Sequence, residues 1–340
     1  MASNSHTKQI RWLHIPKAGQ SFFLTTLLYA CRGNVSLVDE VHGFLSAHRN
    51  LTRKLQHVVK QFRIADFALC PGFRTPVIVG HAGISGDATA TVGLLRQPRQ
   101  RLLSFCASSR AYQGGLFKDC LALSVSGHLG VVVLQLSGLA VGNSAKPLPL
   151  PLTKSIVREA LGRLARLRFI GLQEEWASSV ALFHTVLMPS TPVVASEEAN
   201  IHETPARDRS TALSIQQRHN ARICSEHPRY GEAVLDALPP TLQDKLALDP
   251  DQILHAYAVM VFCAHMRKAL PTHHVASCHR PCPLVYVTPR TQASNTRRAR
   301  NSPSFEQRAS FAAKRLVAHW GLDDLPLAHK LVAFLQGQRE

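Results

Sequence analysis

A lysine and two small residues stand where an apolar run gives way to a helix-like segment, in "RWLHIPKAGQSFF" (11–23). A helix N-terminus presents backbone N–H groups that lack internal partners, and the helix dipole adds partial positive charge there. Ala18 and Gly19 would let an anion approach the backbone closely, while Lys17 adds a mobile charge and Ser21 a hydroxyl donor. The segment therefore predicts an anion cradle, and a tight turn with an exposed lysine explains it equally well. It is not a Walker A loop, because GxxxxGK[ST] places the lysine at the end of the loop.

A second segment combines an arginine and a serine that suit the same ligand. "TVGLLRQPRQRLLSF" (91–105) is typical of a short strand followed by a helix. Arg96 ends the strand, and Ser104 follows about two turns into the helix. A guanidinium offers a planar pair of donors to a phosphate, and a serine can add one hydrogen bond. Alone, such a string more often marks a helix with a solvated basic face.

A histidine that suits acid–base chemistry follows a third apolar run, in "VIVGHAGI" (77–84). His81 would stand at the carboxyl end of a strand, where open parallel sheets bind their ligands. A neutral imidazole accepts a proton readily near pH 7, so His81 is a candidate general base, or else merely a residue that ends a strand. Glu174 and Glu175 are alternative bases, for which we expect a solvated helix N-terminus.

Together these segments resemble the Golgi-type carbohydrate sulfotransferases, which use 3′-phosphoadenosine 5′-phosphosulfate (PAPS). "HIPKAGQSFF" (14–23) is similar to their 5′-phosphosulfate loop, HIPKTGGTS, and "LLRQPRQRLLSF" (94–105) to their 3′-phosphate motif, LRDPVERFLSAY. "RFIGLQEEWASSVALF" (168–183) resembles their VGLTERFDESL segment. Two shorter strings follow the family's order as well, "LQLSG" (134–138) and "DPDQILHAYAVMVF" (249–262). The likeness covers roughly residues 8–268.

The resemblance implies a PAPS-dependent transfer of a sulfuryl group to a hydroxyl of a sugar or glycan. Lys17 would stabilise the leaving 5′-phosphate, and His81 would take the acceptor proton, as a Gly-His histidine does in heparan and uronyl 2-O-type members. PAPS is the expected co-substrate, and neither a metal nor nucleic acid is expected. The implied donor site consists of Lys17, Ala18, Gly19, Gln20, Ser21, Arg96 and Ser104.

The chain departs from the family pattern at several positions. Gln20 replaces a glycine of the 5′-phosphosulfate loop, Gln97 replaces an acidic residue, and Phe105-Cys106 stands where Ala-Tyr is common. We see neither a signal peptide nor the family's N-terminal anchor. The resemblance nevertheless suggests a membrane-associated Golgi protein. A soluble relative, an incomplete N-terminus or an inactive copy would each explain the missing anchor.

The elements that must position these residues alternate along the chain, which predicts a parallel sheet covered on both faces. We expect an α/β fold: a P-loop-like parallel sheet flanked by helices, with a basic C-terminal extension. Asp249 and Pro250 form a helix start signal, as N-cap and first helical residue. The predicted strands are 8–14, 76–80, 91–95 and 168–172; the predicted helices are 20–31, 97–112, 116–138, 153–167, 174–187, 250–268 and two pieces within 310–337.

Three regions are predicted: a sulfotransferase-like domain at 1–269, a basic Pro/Ser/Arg-rich linker at 270–309 and a helical extension at 310–340. The stretch 120–143 contains no Asp, Glu, Lys or Arg. Its glycines, serines, Gln135 and His128 favour one or two buried core helices over a membrane span.

The charge balance favours anionic partners. The chain has 39 Lys and Arg against 22 Asp and Glu, for a net charge of +17. This fits an anionic donor and an anionic glycan, but also a non-catalytic polyanion- or nucleotide-binding protein that keeps the fold. A nucleotide kinase is disfavoured by the missing Walker A loop. The oligomeric state and the compartment stay open, and Cys278 and Cys282 read better as incidental loop cysteines than as a metal site.

Overall fold

The computed structural model describes much of the chain around one parallel sheet. The described residues are 10–16, 18, 77–79, 83–84, 86–108, 117–139, 151–189, 192–193, 235, 237–273, 275, 278 and 305–335. Several predicted features lie outside them, namely the helix 20–31 and the site residues Lys17, Gly19, Gln20, Ser21 and His81.

The described strands form a four-stranded, all-parallel sheet in the order β2-β1-β3-β4. Each strand lies within a predicted one, so the strand predictions are confirmed. In the register, Leu13 lies opposite Val79 on one side and Gly93 on the other. The strands are β1 (Arg11–Leu13), β2 (Val77–Val79), β3 (Thr91–Leu95) and β4 (Phe169–Leu172).

Both faces of the sheet are covered. Successive side chains of a strand point to opposite faces, yet every residue of β3 and β4 is buried. Helices therefore flank the sheet on both sides, and the predicted α/β class with a parallel sheet is confirmed.

The described helices follow most of the predicted ones, with ends shifted by a few residues. Helix α6 was not predicted. The helices are α1 (Pro98–Ser108), α2 (Phe117–Gly127), α3 (Val131–Leu136), α4 (Lys154–Leu164), α5 (Trp176–Leu187), α6 (Pro240–Ala247), α7 (Asp251–Ala269), α8 (Phe305–His319) and α9 (Ala328–Leu335).

The uncharged stretch forms two helices, as one of the sequence interpretations predicted. Gly130 separates α2 from α3 with a φ of 72°, and a Cβ there would lie 2.2 Å from Cδ1 of Leu152. Every residue of α3 is buried. By length and composition alone Asp119–Leu136 could cross a membrane, but this is weak evidence because buried core helices meet the same criteria.

The two C-terminal helices pack against the same core as the sheet. Leu316 of α8 and Leu331 of α9 are fully buried in the cluster that contains β3 and β4. The indole N–H of Trp320 donates to the carbonyl of Leu248 at 2.9 Å. Phe311, in contrast, is 71% exposed and lies outside this core.

Candidate functional site

The carboxyl ends of β1 and β3 lie side by side at one edge of the sheet. β1 pairs with β2 on one side and with β3 on the other, so the strand order reverses at β1. In open α/β sheets such a reversal forms a crevice beyond the carboxyl ends of the strands, where ligands bind. The segment that begins at His14 and the segment that begins at Arg96 therefore leave the sheet as neighbours.

The segment after β1 begins with a tight turn. The carbonyl of Ile15 accepts the N–H of Ala18 at 3.1 Å, and Ala18 is buried. The carbonyl of His14 accepts a hydrogen bond from Nε2 of Gln135 at 3.0 Å. Two hydrogen bonds thus fix the start of this segment. The roles of its remaining site residues stay predictions, namely Lys17, Gly19, Gln20 and Ser21.

Two residues are predicted to bind a 3′-phosphate: Arg96 lies at the junction of β3 and α1, and Ser104 lies within α1. Arg96 and Ser104 are both half-buried. Burial lowers the pKa of the Arg96 guanidinium, and the Glu174 carboxylate opposes that shift. A partly dehydrated arginine gains more from an anionic partner than a fully solvated one does. This favours Arg96 as a residue that could hold an anion at this edge.

The prediction of a solvated helix N-terminus is wrong for Glu174. Its side chain is only 15% exposed, and Oε1 accepts the backbone N–H of Gln97. Oε2 lies 3.6 Å from Nε2 of His255, which is buried in α7. Burial alone would raise the pKa of Glu174, but His255 and the Gln97 N–H outweigh it and leave the pKa below its usual value. Glu174 is thus an ionised group that fastens the β3–α1 junction to the end of β4.

The alternative of a solvated basic face on α1 fails at Arg101. This residue is 4% exposed, and its Nη2 donates to Oδ2 of Asp251 at 2.9 Å and to the carbonyl of His128 at 3.3 Å. Arg101 is therefore a buried anchor that joins α1 to α7.

Two buried carboxyl groups hold the start of α3. Oδ1 of Asp249 accepts the N–H of Gly130 at 3.0 Å, and Asp251 accepts those of Val132 and Val133 at 3.2 and 3.0 Å. Burial, together with the neighbouring Asp251 carboxylate, raises the pKa of Asp249 to about 8. A proton on Asp249 leaves Asp251 as the anion that balances Arg101. Asp249 also accepts the N–H of Asp251 at 3.1 Å. The predicted helix start is wrong by one residue, because Pro250 rather than Asp249 is the N-cap and α7 begins at Asp251.

Disulfides replace the expected incidental cysteines. Cys106 of α1 pairs with Cys120 of α2, and Cys263 of α7 pairs with Cys278. Cys278 is therefore neither an incidental loop cysteine nor a metal ligand, and Cys282 lies outside the described residues. No signal in the sequence links these partners, because each pair joins residues that only the fold brings together.

No metal-binding group is visible in the part of the chain that the structure describes: none of its His, Cys, Asp and Glu side chains cluster in groups of three or more. Comparison with known proteins gives no relative either, since no family description, curated protein or solved structure matches the chain. Any functional conclusion therefore rests on the motifs and on the geometry of the sheet edge.

Proposed function

We propose that the protein is a PAPS-dependent sulfotransferase that acts on a hydroxyl of a sugar or glycan. One observation carries the proposal: the segment that follows β1 and the segment that begins at Arg96 are neighbours where the strand order reverses. These are the segments that resemble the 5′-phosphosulfate and 3′-phosphate motifs. A nucleotide with charged groups on both sides of its ribose could contact the two of them at once, as in a P-loop-like fold.

In this proposal the donor is held by charge-assisted hydrogen bonds. Arg96 and Ser104 bind the 3′-phosphate, while Lys17, Ser21 and the backbone of 18–20 bind the 5′-phosphosulfate. Glu174 keeps the β3–α1 junction in place through the N–H of Gln97. Its carboxylate also partly offsets the dehydration of Arg96, so that the guanidinium stays charged.

The proposed reaction is an in-line displacement at sulfur. The acceptor oxygen forms a bond to sulfur while the bond between sulfur and the 5′-phosphate oxygen breaks. The acceptor proton passes to His81, and 3′,5′-ADP leaves with its new charge stabilised by Lys17. Such a transfer depends on positioning and charge stabilisation more than on covalent participation of the protein.

The charge and the disulfides support a proposal for the acceptor and the compartment. A net charge of +17 attracts polyanions over a long range, which favours an anionic glycan. Two disulfides in the described residues favour an oxidising compartment, because such bonds are rare in reducing ones. We therefore propose the lumen of the Golgi, with membrane association as in the enzymes that the motifs resemble.

One observation favours the non-catalytic alternative. Glu174 accepts the N–H of Gln97, which is then not free to bind an anion, and it places negative charge beside Arg96. Both effects weaken an anion site, and Gln20 adds a side chain where the resembled loop has glycine. A polyanion-binding protein that has lost PAPS turnover would tolerate these changes.

Calorimetry with 3′,5′-ADP and 5′-AMP tests the donor site. We expect the parent to prefer 3′,5′-ADP, and Arg96→Ala to lose at least about tenfold in affinity for it, since a hydrogen bond to a charged group is worth about 1.5–3 kcal/mol. Affinity for 5′-AMP should hardly change. Arg166→Ala is a matched control, because Arg166 is exposed, lies just after α4 and donates from Nε to the carbonyl of Gly162 in that helix.

Transfer assays separate the two functions. Labelled PAPS is incubated with desulfated heparan sulfate and with desulfated chondroitin sulfate, and label on the glycan is measured. Transfer of label to either glycan would support the proposed sulfotransferase activity. Preference for the 3′-phosphate with no transfer to any glycan favours the non-catalytic alternative, and no preference for the 3′-phosphate in the parent rejects the donor site itself.

A further inference from the structure

Gln135 of α3 contacts the segments that follow two neighbouring strands. Its Nε2 donates to the carbonyl of His14, directly after β1, at 3.0 Å. Its backbone carbonyl accepts the N–H of Ile84, in the segment after β2, at 2.8 Å. Gln135 has no exposed surface, so the bond to His14 is shielded from water. One buried residue therefore joins the start of the segment that carries Lys17 to Ile84, three residues beyond His81 in the segment after β2.

The segment after β2 has further contacts beside Gln135. The carbonyl of Ile84 accepts a hydrogen bond from Nη1 of Arg163 at 2.8 Å. Gly83 lies so close to Gly138 that a Cβ on Gly83 would be 2.4 Å from the carbonyl carbon of Gly138. The end of α3 and this segment are therefore packed backbone to backbone.

The other end of α3 is fixed to the helix that carries Ser104. Asp251 accepts two N–H groups of α3 and also pairs with Arg101 of α1. Helix α3 thus spans from the 3′-phosphate helix at its start to the two sheet-edge segments at its end. The ladder between β1 and β2 ends at Leu13 and Val79, so it cannot by itself set the two segments beyond it.

We propose that Gln135 is a positioning residue that aligns the 5′-phosphosulfate loop with the segment carrying the base. This rests on the proposed function and adds to it the residue that sets the transfer geometry. The amide would hold the start of the Lys17 loop at a fixed distance from the His81 segment, so that the sulfur, the leaving oxygen and the acceptor oxygen lie in line. Misplacing reacting groups by about 1 Å can cost about 100-fold in rate.

Gln135→Met is the informative variant, with Ser137→Ala as its control. Methionine has a similar length and fills the same space, but it cannot donate to the His14 carbonyl. The backbone bond to Ile84 needs no particular side chain and is retained. Ser137 lies just after the same helix and is also buried, but its hydroxyl bonds only to the carbonyls of Val133 and Leu134.

Two readouts separate positioning from a merely structural role. In transfer from labelled PAPS to desulfated heparan sulfate, Gln135→Met should lose about 10- to 100-fold in kcat and keep its 3′,5′-ADP affinity within about threefold. Ser137→Ala should keep both within about threefold. In hydrogen exchange, which needs no acceptor, peptides covering 11–21 and 80–90 should exchange faster in Gln135→Met than in Ser137→Ala, while peptides from α7 should not differ.

The outcomes distinguish this inference from the proposed function. If the parent transfers no sulfate but the exchange pattern appears as expected, the alignment stands and the proposed function fails. If the parent transfers sulfate and Gln135→Met matches Ser137→Ala in kcat and in exchange, Gln135 does not position the loops. Two outcomes would assign Gln135 a purely structural role and overturn the inference. In the first, Gln135→Met loses kcat and 3′,5′-ADP affinity equally. In the second, both Gln135→Met and the shorter Gln135→Asn fail to fold.

Discussion

At the scale of single residues, the proposed mechanism turns on which group takes the acceptor proton. Glu174 is close to Arg96, but one of its oxygens is bonded to the N–H of Gln97 and its pKa lies below the usual value. A carboxylate in that state is a weak base and serves better as a structural anion. Of Glu174 and His81, His81 is therefore the better candidate for the group that accepts the acceptor proton.

We predict that His81→Ala loses about two to four orders of magnitude in transfer rate, the usual contribution of a general base. Its 3′,5′-ADP affinity should stay nearly unchanged, because a base for the acceptor need not touch the nucleotide. The parent's rate should rise with pH through the imidazole range, near pH 6.5, since only neutral His81 accepts a proton. The pH dependence of kcat in parent and variant measures this.

Glu174→Gln is the control for the base. It keeps a side chain of the same shape but cannot carry the charge. Because it removes negative charge from beside Arg96, we expect donor binding that is no weaker than the parent's and an unchanged pH step. Loss of the pH step in Glu174→Gln, together with a normal rate in His81→Ala, would transfer the role of base to Glu174.

At the scale of elements, local patterns predicted the strands and most helices. β3 and β4 are short apolar runs buried on both faces, and α4 keeps its apolar positions on one side, so local sequence was sufficient. The adjacency of the two segments that are predicted to bind anions depends on the strand order, which the structure supplies. The resemblance supplied their roles, which no spacing alone could assign.

What the sequence could not predict are contacts between distant residues. Arg101 and Asp251 are 150 positions apart and Gln97 and Glu174 are 77 apart, so neither pairing leaves a periodic signal. The charge of Glu174 suggested exposure, but its partners are a backbone N–H and a buried histidine. A carboxylate two residues after the end of a buried strand is the signal that could have indicated its position.

Breaking the buried pair of Arg101 and Asp251 should destabilise the fold far more than breaking an exposed pair. Asp251→Asn leaves the Arg101 charge without its partner in a site where both side chains are at most 5% exposed, so we expect a loss of about 3–5 kcal/mol. Asp324→Asn is the control, since Asp324 pairs with Arg158 but is 65% exposed; its loss should be below about 1 kcal/mol. Urea unfolding of the parent and the two variants measures both losses of stability. Equal losses would contradict the structural role of the buried pair of Arg101 and Asp251.

Asp249 should make the stability depend on pH. Its folded pKa of about 8 lies well above the ordinary value near 3.9, so the folded protein holds a proton that the unfolded chain releases. Its contribution is therefore complete at acidic pH and is lost as the pH rises from about 4 to 8. Asp249→Asn keeps an oxygen for the N–H groups of Gly130 and Asp251 but cannot titrate. We expect its unfolding free energy to fall less than the parent's between pH 5 and pH 8, and equal slopes in urea titrations would contradict this.

At the scale of the whole molecule, the C-terminal helices share the core of the sheet. They are bound to it by apolar packing, by the bond from Trp320 to Leu248 and by the contacts of Arg158 with Asp324. Residues 279–304 between them and α7 lie outside the described residues. The sequence predicted a helical extension at 310–340. The packing shows that its described helices help to form the core around the sheet.

We predict that a chain ending at residue 304 does not reach the stability of the parent. Leu316, Leu322, Leu331 and Leu335 are fully buried, and each contributes about 1.5–3 kcal/mol when buried. Their joint loss is comparable to the total stability of an ordinary domain, about 5–15 kcal/mol. Soluble yield and thermal unfolding measure the effect, with a chain ending after Leu335 as the control. A folded 304-residue chain with parental thermal stability would show that the sheet region needs no support from α8 and α9, and that they form a separate unit.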